Sequence, residues 1–99
     1  YLAERLDRGY EAFGDCRQYI DQPPSAYLKR FYYDTVNFDP ACIELAMAFA
    51  GPEHIMAGSD YPHQIGSIPK MLHSLRGLDV TEDDRRKMMG ENAARVLGL

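Results

Sequence analysis

Apolar residues recur at Leu2, Leu6, Tyr10 and Phe13, with Glu4, Arg5, Asp7 and Arg8 between them. That spacing predicts an amphipathic helix ending near Gly14. Residues 15–24 have no clear period, and Pro23-Pro24 breaks any regular element. Ser25 is placed to cap a short helix through Lys29. Residues 31–36, Phe-Tyr-Tyr-Asp-Thr-Val, are aromatic and β-branched and predict a strand. A turn follows, with Asp39 as N-cap and Pro40 at the first helical position. The next helix carries Ile43, Ala46, Met47 and Ala50 on one face and stops at Gly51-Pro52. Residues 54–57 predict a second strand, and residues 58–66 a loop. Ile68, Met71, Leu72 and Leu75 mark another helix, closed by Gly77. Thr81 caps the following one, with Asp84 three residues on in an approximate capping box. Gly90 interrupts that helix; Asn92 then caps a last short helix through Leu97, ended by Gly98.

The order helix, strand, helix, strand, helix, helix contains one βαβ unit, which must be parallel and right-handed. Parallel strands are buried on both faces and need helices and further strands around them. Two strands cannot supply that cover. The expected fold class is therefore α/β, with this stretch forming part of a larger parallel sheet or barrel rather than a complete autonomous domain. No internal repeat or low-complexity segment is present.

Composition narrows the partners. The 99 residues are 45% hydrophobic and 26% charged, and 11 basic against 15 acidic residues give a net charge of −4. No basic stripe of the kind nucleic-acid binders carry is present, so no nucleic acid is expected as a partner. No apolar run reaches the length of a membrane span, and residues 1–5 have neither the basic flank nor the apolar core of a signal peptide. The chain opens on a helical pattern without Met, which suggests a fragment or a processed chain. Cys16 and Cys42 form no CxxC pair and cannot hold a structural zinc alone. They read as two reduced thiols of a cytoplasmic protein.

Candidate chemistry concentrates in Gly58-Ser59-Asp60-Tyr61-Pro62-His63, directly after the apolar Ile55-Met56-Ala57. A carboxylate just past the C-terminal end of a buried strand is a common way to present a metal ligand or a proton-transfer group. From the local residues alone, Asp60 is equally a turn or capping aspartate. A lone Asp binds no transition metal well, so most partners must come from elsewhere. His63, three residues on, either faces a substrate or is a surface histidine. Asp34 ends the first strand, near a substrate or capping the loop. His54 and His73 read as structural.

The ordered set of Phe31-Tyr32-Tyr33-Asp34-Thr35, Asp39-Pro40, Gly58-Ser59-Asp60-Tyr61-Pro62 and the terminal Glu91-Asn92-Ala93-Ala94-Arg95-Val96-Leu97-Gly98-Leu99 resembles the C-terminal part of the amidohydrolase-related family. The resemblance is to the branch of aminocarboxymuconate-semialdehyde and γ-resorcylate decarboxylases, and it covers nearly the whole chain. It implies the last two strands of a metal-dependent (β/α)8 TIM barrel, with Asp60 as catalytic residue and ligand of a divalent metal, usually zinc. The family's other ligands, an HxH pair and histidines on middle strands, fall outside this chain. The resemblance also implies a substrate-binding role for His63, and one for Arg5, which would reach a substrate carboxylate across a dimer interface. The implied activity is hydrolysis or non-oxidative decarboxylation of a small carboxylated substrate, in a homo-oligomer of two or more copies. The alternative is a non-catalytic fragment or interaction module, stabilised by self-association, with no metal of its own.

Overall fold

The computed structural model describes residues 1–99, which divide into two compact units, residues 1–31 and 32–99.

In the first unit, α1 (Ala3–Ala12) is the amphipathic helix the periodicity predicts, and a 3₁₀ turn (Gly14–Arg17) follows it. The second helix, α2, spans Pro24–Leu28, with Pro23 at its N-cap. Ser25 therefore does not cap it. The Ser25 backbone N–H already lies inside the first turn, and it donates to the Asp7 carboxylate of α1 at 2.9 Å. A Pro-Pro pair loses no hydrogen bond at a helix start, because the first N–H groups of a helix have no intrahelical acceptor. Asp7 satisfies one of the N–H groups left over. Arg30 stacks over the Tyr27 ring at 4.9 Å, and the Tyr27 hydroxyl donates to Asp21 at 2.7 Å.

The second unit is built on two parallel strands, β1 (Tyr33–Asp34) and β2 (Ile55–Met56), in the register Tyr33↔Ile55 and Asp34↔Met56. Both strands are shorter than their apolar runs predict, for local reasons. The Asp34 carboxylate accepts the Val36 N–H at 3.1 Å, an Asx turn that peels the chain off the ladder. His54 is held in a 3₁₀ turn, Pro52–His54, through its N–H to the Gly51 carbonyl.

Helix α3 (Pro40–Ala50) joins the strands, and its N-cap Asp39 accepts from the Ala41 N–H at 2.9 Å. It ends at Gly51, whose φ of 89° a side chain would strain. Helix α4 (Ile68–Gly77) is capped by Ser67 and α5 (Glu82–Arg86) by Thr81. Asp84 accepts from the Thr81 hydroxyl at 2.9 Å while its own N–H donates to the same oxygen.

Two expectations for the C-terminal helices are corrected. Gly90 does not break the helix: the chain continues through one π-helical turn, Lys87–Glu91, into α6 (Asn92–Leu97). A glycine lowers helix propensity by about 1 kcal/mol but does not forbid the conformation. Nor does Asn92 cap α6. It is buried at 2% exposure, and its Nδ2 donates to the carbonyls of Pro52 and Ile55, both at 2.8 Å. The π turn itself presents the Met88 carbonyl to the Ala57 N–H at 2.9 Å.

Ile43, Ile55, Leu75, Leu78 and Met88 form the buried core, with Tyr33, Ala46, Met47 and Met71 packed against it. Arg85 closes one side by donating to the carbonyls of Leu75 and Leu78. The helices thus lock the start and end of β2 to the protein backbone, and the loop after β2 leaves from a fixed point.

Candidate functional site

The loop at residues 58–67 begins where β1 and β2 end side by side. Thr35, fully buried, accepts the Gly58 N–H at 3.1 Å and clamps the exits of the two strands together. A β-carbon on Gly58 would come within 2.9 Å of the Asp34 β-carbon, so the two chains approach as closely as only glycine allows. Asp34 therefore sits beside the loop, with its carboxylate engaged by Val36.

Asp60 adopts a left-handed backbone with φ of 54°. Asp and Asn are among the few side chains that enter this region at modest cost. The Tyr61 N–H donates to the Ser59 hydroxyl at 3.3 Å, and the Tyr61–Pro62 peptide is cis. The His63 N–H donates to the Asp60 carbonyl at 2.8 Å, the Gly66 N–H to the His63 carbonyl at 2.9 Å, and the Ser67 N–H to the Ser59 carbonyl at 2.7 Å. The loop thus closes on itself and hands directly into the N-cap of α4.

This closure brings two of the candidate side chains together. His63 Nδ1 lies 3.6 Å from Asp60 Oδ2, and both side chains are about half exposed. The same nitrogen lies 3.5 Å from the Ile65 N–H. It accepts the hydrogen bond of the Ile65 N–H and faces the Asp60 carboxylate. The arrangement holds a carboxylate open to solvent with an imidazole beside it.

Arg5, His54 and His73 each have their own local surroundings. Arg5 is exposed on α1, in the first unit, where it lines a shallow groove of about 340 Å³ with Arg8, Gly9, Ala12 and Phe13. Arg8 is paired with Glu11. His54 stacks on Tyr32 with ring centroids 4.8 Å apart, and His73 lines an open cleft of about 370 Å³ with Asn37, Phe38, Asp39 and Lys70. Charge shifts are felt on α5 and the π turn. A hydrogen bond and ion pair with Lys87 hold the Asp83 carboxyl below its ordinary value, Asp83 raises Lys87 in return, and Glu91 raises Arg86.

Asp60 and His63 make two donors, and no group of three or more His, Cys, Asp or Glu side chains is placed to hold a metal ion. A catalytic zinc takes three protein ligands plus an open position. The donor set does not fit a self-sufficient metal centre, whereas Asp60 fits as one carboxylate arm of a larger one. Three residues that shape the loop were not singled out in the sequence as its supports. Thr35 and Gly66 lie in plain strand-end and loop contexts, and Asn92 carries a signal that reads as a helix cap.

A short parallel strand pair wrapped by helices, with a solvent-facing carboxylate just beyond the C-terminal end of the second strand, is a segment of a (β/α)8 barrel. Residues 3–99 match the amidohydrolase family, and the chain belongs to that family. It is similar to 5-carboxyvanillate decarboxylase from Sphingomonas paucimobilis, with a TM-score of 0.85 and 26% identity over 99% of this chain and 30% of that one. It is 25% identical to the 2-amino-3-carboxymuconate-6-semialdehyde decarboxylase of Caenorhabditis elegans over 96 residues, 96% of this chain and 24% of that protein. The fold is shared with the dihydroxybenzoic acid decarboxylase of Polaromonas sp. JS666, solved with bound manganese and the inhibitor 2-nitroresorcinol. There the TM-score is 0.85 at 22% identity, over 100% of this chain and 30% of that one. The chain thus spans 24–30% of the length of these relatives.

Proposed function

We propose that residues 1–99 form the C-terminal part of a metal-dependent barrel enzyme that decarboxylates a small carboxylated substrate without oxidation. The observation that carries this reading is the likeness, at 25–26% identity across nearly the whole chain, to two relatives that are both decarboxylases. In such a reaction the carbon–carbon bond to the carboxylate breaks and carbon dioxide leaves. The electron pair stays on the substrate carbon, which then takes a proton. A bound divalent cation, zinc by resemblance and manganese in the Polaromonas relative, would supply a positive centre that polarises the substrate.

Asp60 is the residue of this chain assigned to that centre. Its carboxylate is about half exposed, sits at a strand end, and can hold or release a proton at Oδ2 with His63 beside it. His63 is assigned to the substrate side of the same loop, and Arg5 to a substrate carboxylate as a fixed positive charge. The remaining metal ligands come from the rest of the barrel, so residues 1–99 are not an autonomous catalytic domain. Two exposed free thiols, Cys16 and Cys42, favour a reducing, cytoplasmic setting. No helix is long and apolar enough to cross a membrane.

The test is a screen of the complete barrel enzyme, loaded with manganese or zinc, against carboxylated phenols and unsaturated carboxylic acids. Carbon dioxide release that disappears in Asp60→Asn, with the melting curve of the variant unchanged, is the expected result. General acid–base residues contribute about 10²- to 10⁴-fold, so the loss is of at least that order. Hydrolytic products without carbon dioxide would replace decarboxylation by hydrolysis. Wild-type turnover in Asp60→Asn would remove Asp60 from the mechanism.

A further inference from the structure

We infer that Gly66 is the positioning residue that fixes Asp60, by holding its backbone from the far end of the loop. A β-carbon added at Gly66 would lie 2.2 Å from the Asp60 carbonyl oxygen, 2.4 Å from its carbonyl carbon and 2.7 Å from the Ser59 carbonyl oxygen. All three are backbone atoms, which cannot rotate aside as the end of a long side chain can. Gly66 is thus packed face to face against the peptide unit that leaves Asp60, in the one residue of this loop with a left-handed φ.

Three hydrogen bonds surround the contact and leave it little freedom. His63 N–H binds the Asp60 carbonyl at 2.8 Å, Gly66 N–H binds the His63 carbonyl at 2.9 Å, and Ser67 N–H binds the Ser59 carbonyl at 2.7 Å. A side chain at residue 66 can be accommodated only by moving the peptide after Asp60 or by breaking the Ser59–Ser67 closure. Either change re-aims the Asp60 carboxylate and its separation from His63. The buried core of Ile43, Ile55, Leu75, Leu78 and Met88 includes no residue of this loop, so the fold has no stake in the identity of residue 66 comparable to the stake of the site.

The functional consequence rests on the reading of Asp60 as the reactive carboxylate; the structural one does not. Both are read in the complete barrel enzyme by comparing Gly66→Ala with Gly77→Ala, whose added methyl group meets open space. Hydrogen exchange of the peptide covering residues 58–67 is expected to accelerate at least about tenfold in Gly66→Ala, while peptides carrying Ile55, Leu75 and Met88 keep their protection. Turnover is expected to fall about 100-fold with KM little changed, the scale of loss expected from a reactive group displaced by about 1 Å. Gly77→Ala should match the wild type in both.

Wild-type exchange in the loop of Gly66→Ala overturns the inference. Accelerated exchange together with an Asp60→Asn variant that remains active upholds the hold of Gly66 on the turn and removes the Asp60 reading instead. Should Gly66→Ala fail to fold, exchange in the wild-type enzyme decides. Protected His63 and Ser67 amides uphold the closure, and amides exchanging as in a free peptide overturn it.

Discussion

At the scale of single residues, the side chains that hold the site are not those with obvious chemistry. Asn92 sits where a helix cap would be expected, yet its amide satisfies two carbonyls of the turn and strand leading to Asp60, at 2.8 Å each. Its own Oδ1 accepts from Arg95 at 3.1 Å, and the same Arg95 nitrogen donates to the Glu53 carbonyl at 2.8 Å. Asn92→Ala leaves buried carbonyls unpaired, each worth about 1–3 kcal/mol. In the complete barrel enzyme the melting temperature should fall by about 2–4 °C per kcal/mol, measured by calorimetry; an unchanged melting temperature would show that water replaces the amide. Arg5 is a different kind of residue. It is exposed on its helix, where an ion pair would be worth little to stability. If it binds a substrate carboxylate, Arg5→Ala raises KM about tenfold or more, the scale of a charge-assisted hydrogen bond, without moving the melting curve. An unchanged KM removes it from substrate binding.

At the scale of elements, the ionic arrangement on α5 and the π turn gives a pH dependence whose sign can be worked out. Lys87 Nζ lies 2.9 Å from Asp83, 3.4 Å from Asp84 and 3.6 Å from Glu53, while Arg86 joins Asp83 at 2.7 Å and Glu91 at 2.9 Å. The Asp83 pKa is lowered from about 3.8, chiefly by its hydrogen bond to Lys87, so its contribution is present above that value and is lost as pH falls through the depressed pKa. The Lys87 pKa is raised from about 10.5, chiefly by Asp83, so its contribution is present below 10.5 and is lost as pH rises through the elevated pKa. Exchange protection of residues 82–91 should therefore be level between these limits and drop outside them. The drop should be smaller in high salt, because the Asp83, Arg86 and Glu91 side chains are about half exposed. A drop near neutral pH would contradict the assignment. The elements themselves were largely legible in the sequence. Asp39-Pro40, Gly51, Thr81 and Gly98 mark real helix ends because capping is a local interaction within a few residues. The strand lengths, the π turn and the role of Asn92 were not legible. Each is decided by a contact beyond that range, such as Ala57 N–H with the Met88 carbonyl, or by an Asx turn competing with the ladder. Of the candidate site, the nearness of Asp60 to His63 could be read from a three-residue spacing. The hold of Gly66 on Asp60 could not, because it depends on how a ten-residue loop closes.

At the scale of the whole molecule, residues 1–99 form a segment of a barrel and not its whole sheet. Two parallel strands have both faces to cover and two outer edges, and a sheet this small is not independently stable without further packing. Within residues 32–99 the buried apolar core is five side chains, while Leu45, Ile65, Ile68 and Leu97 remain exposed. Apolar surface of this kind contributes about 25 cal/mol per Å² when it is covered, so contact with further barrel strands or with a second copy is favoured over exposure. Residues 1–99 prepared alone are therefore expected to sediment as a concentration-dependent oligomer. They should bind zinc or manganese weakly and below one equivalent by metal analysis, since Asp60 and His63 supply two donors where a catalytic site takes three. Joined to the preceding barrel strands, the same residues should become monodisperse and take up a full equivalent of metal, and Asp60→Asn should then weaken the metal as well as abolish turnover. A monomeric 99-residue chain holding one tightly bound metal would contradict both halves of this expectation at once, because it would mean that the loop after β2 assembles a complete site from its own residues.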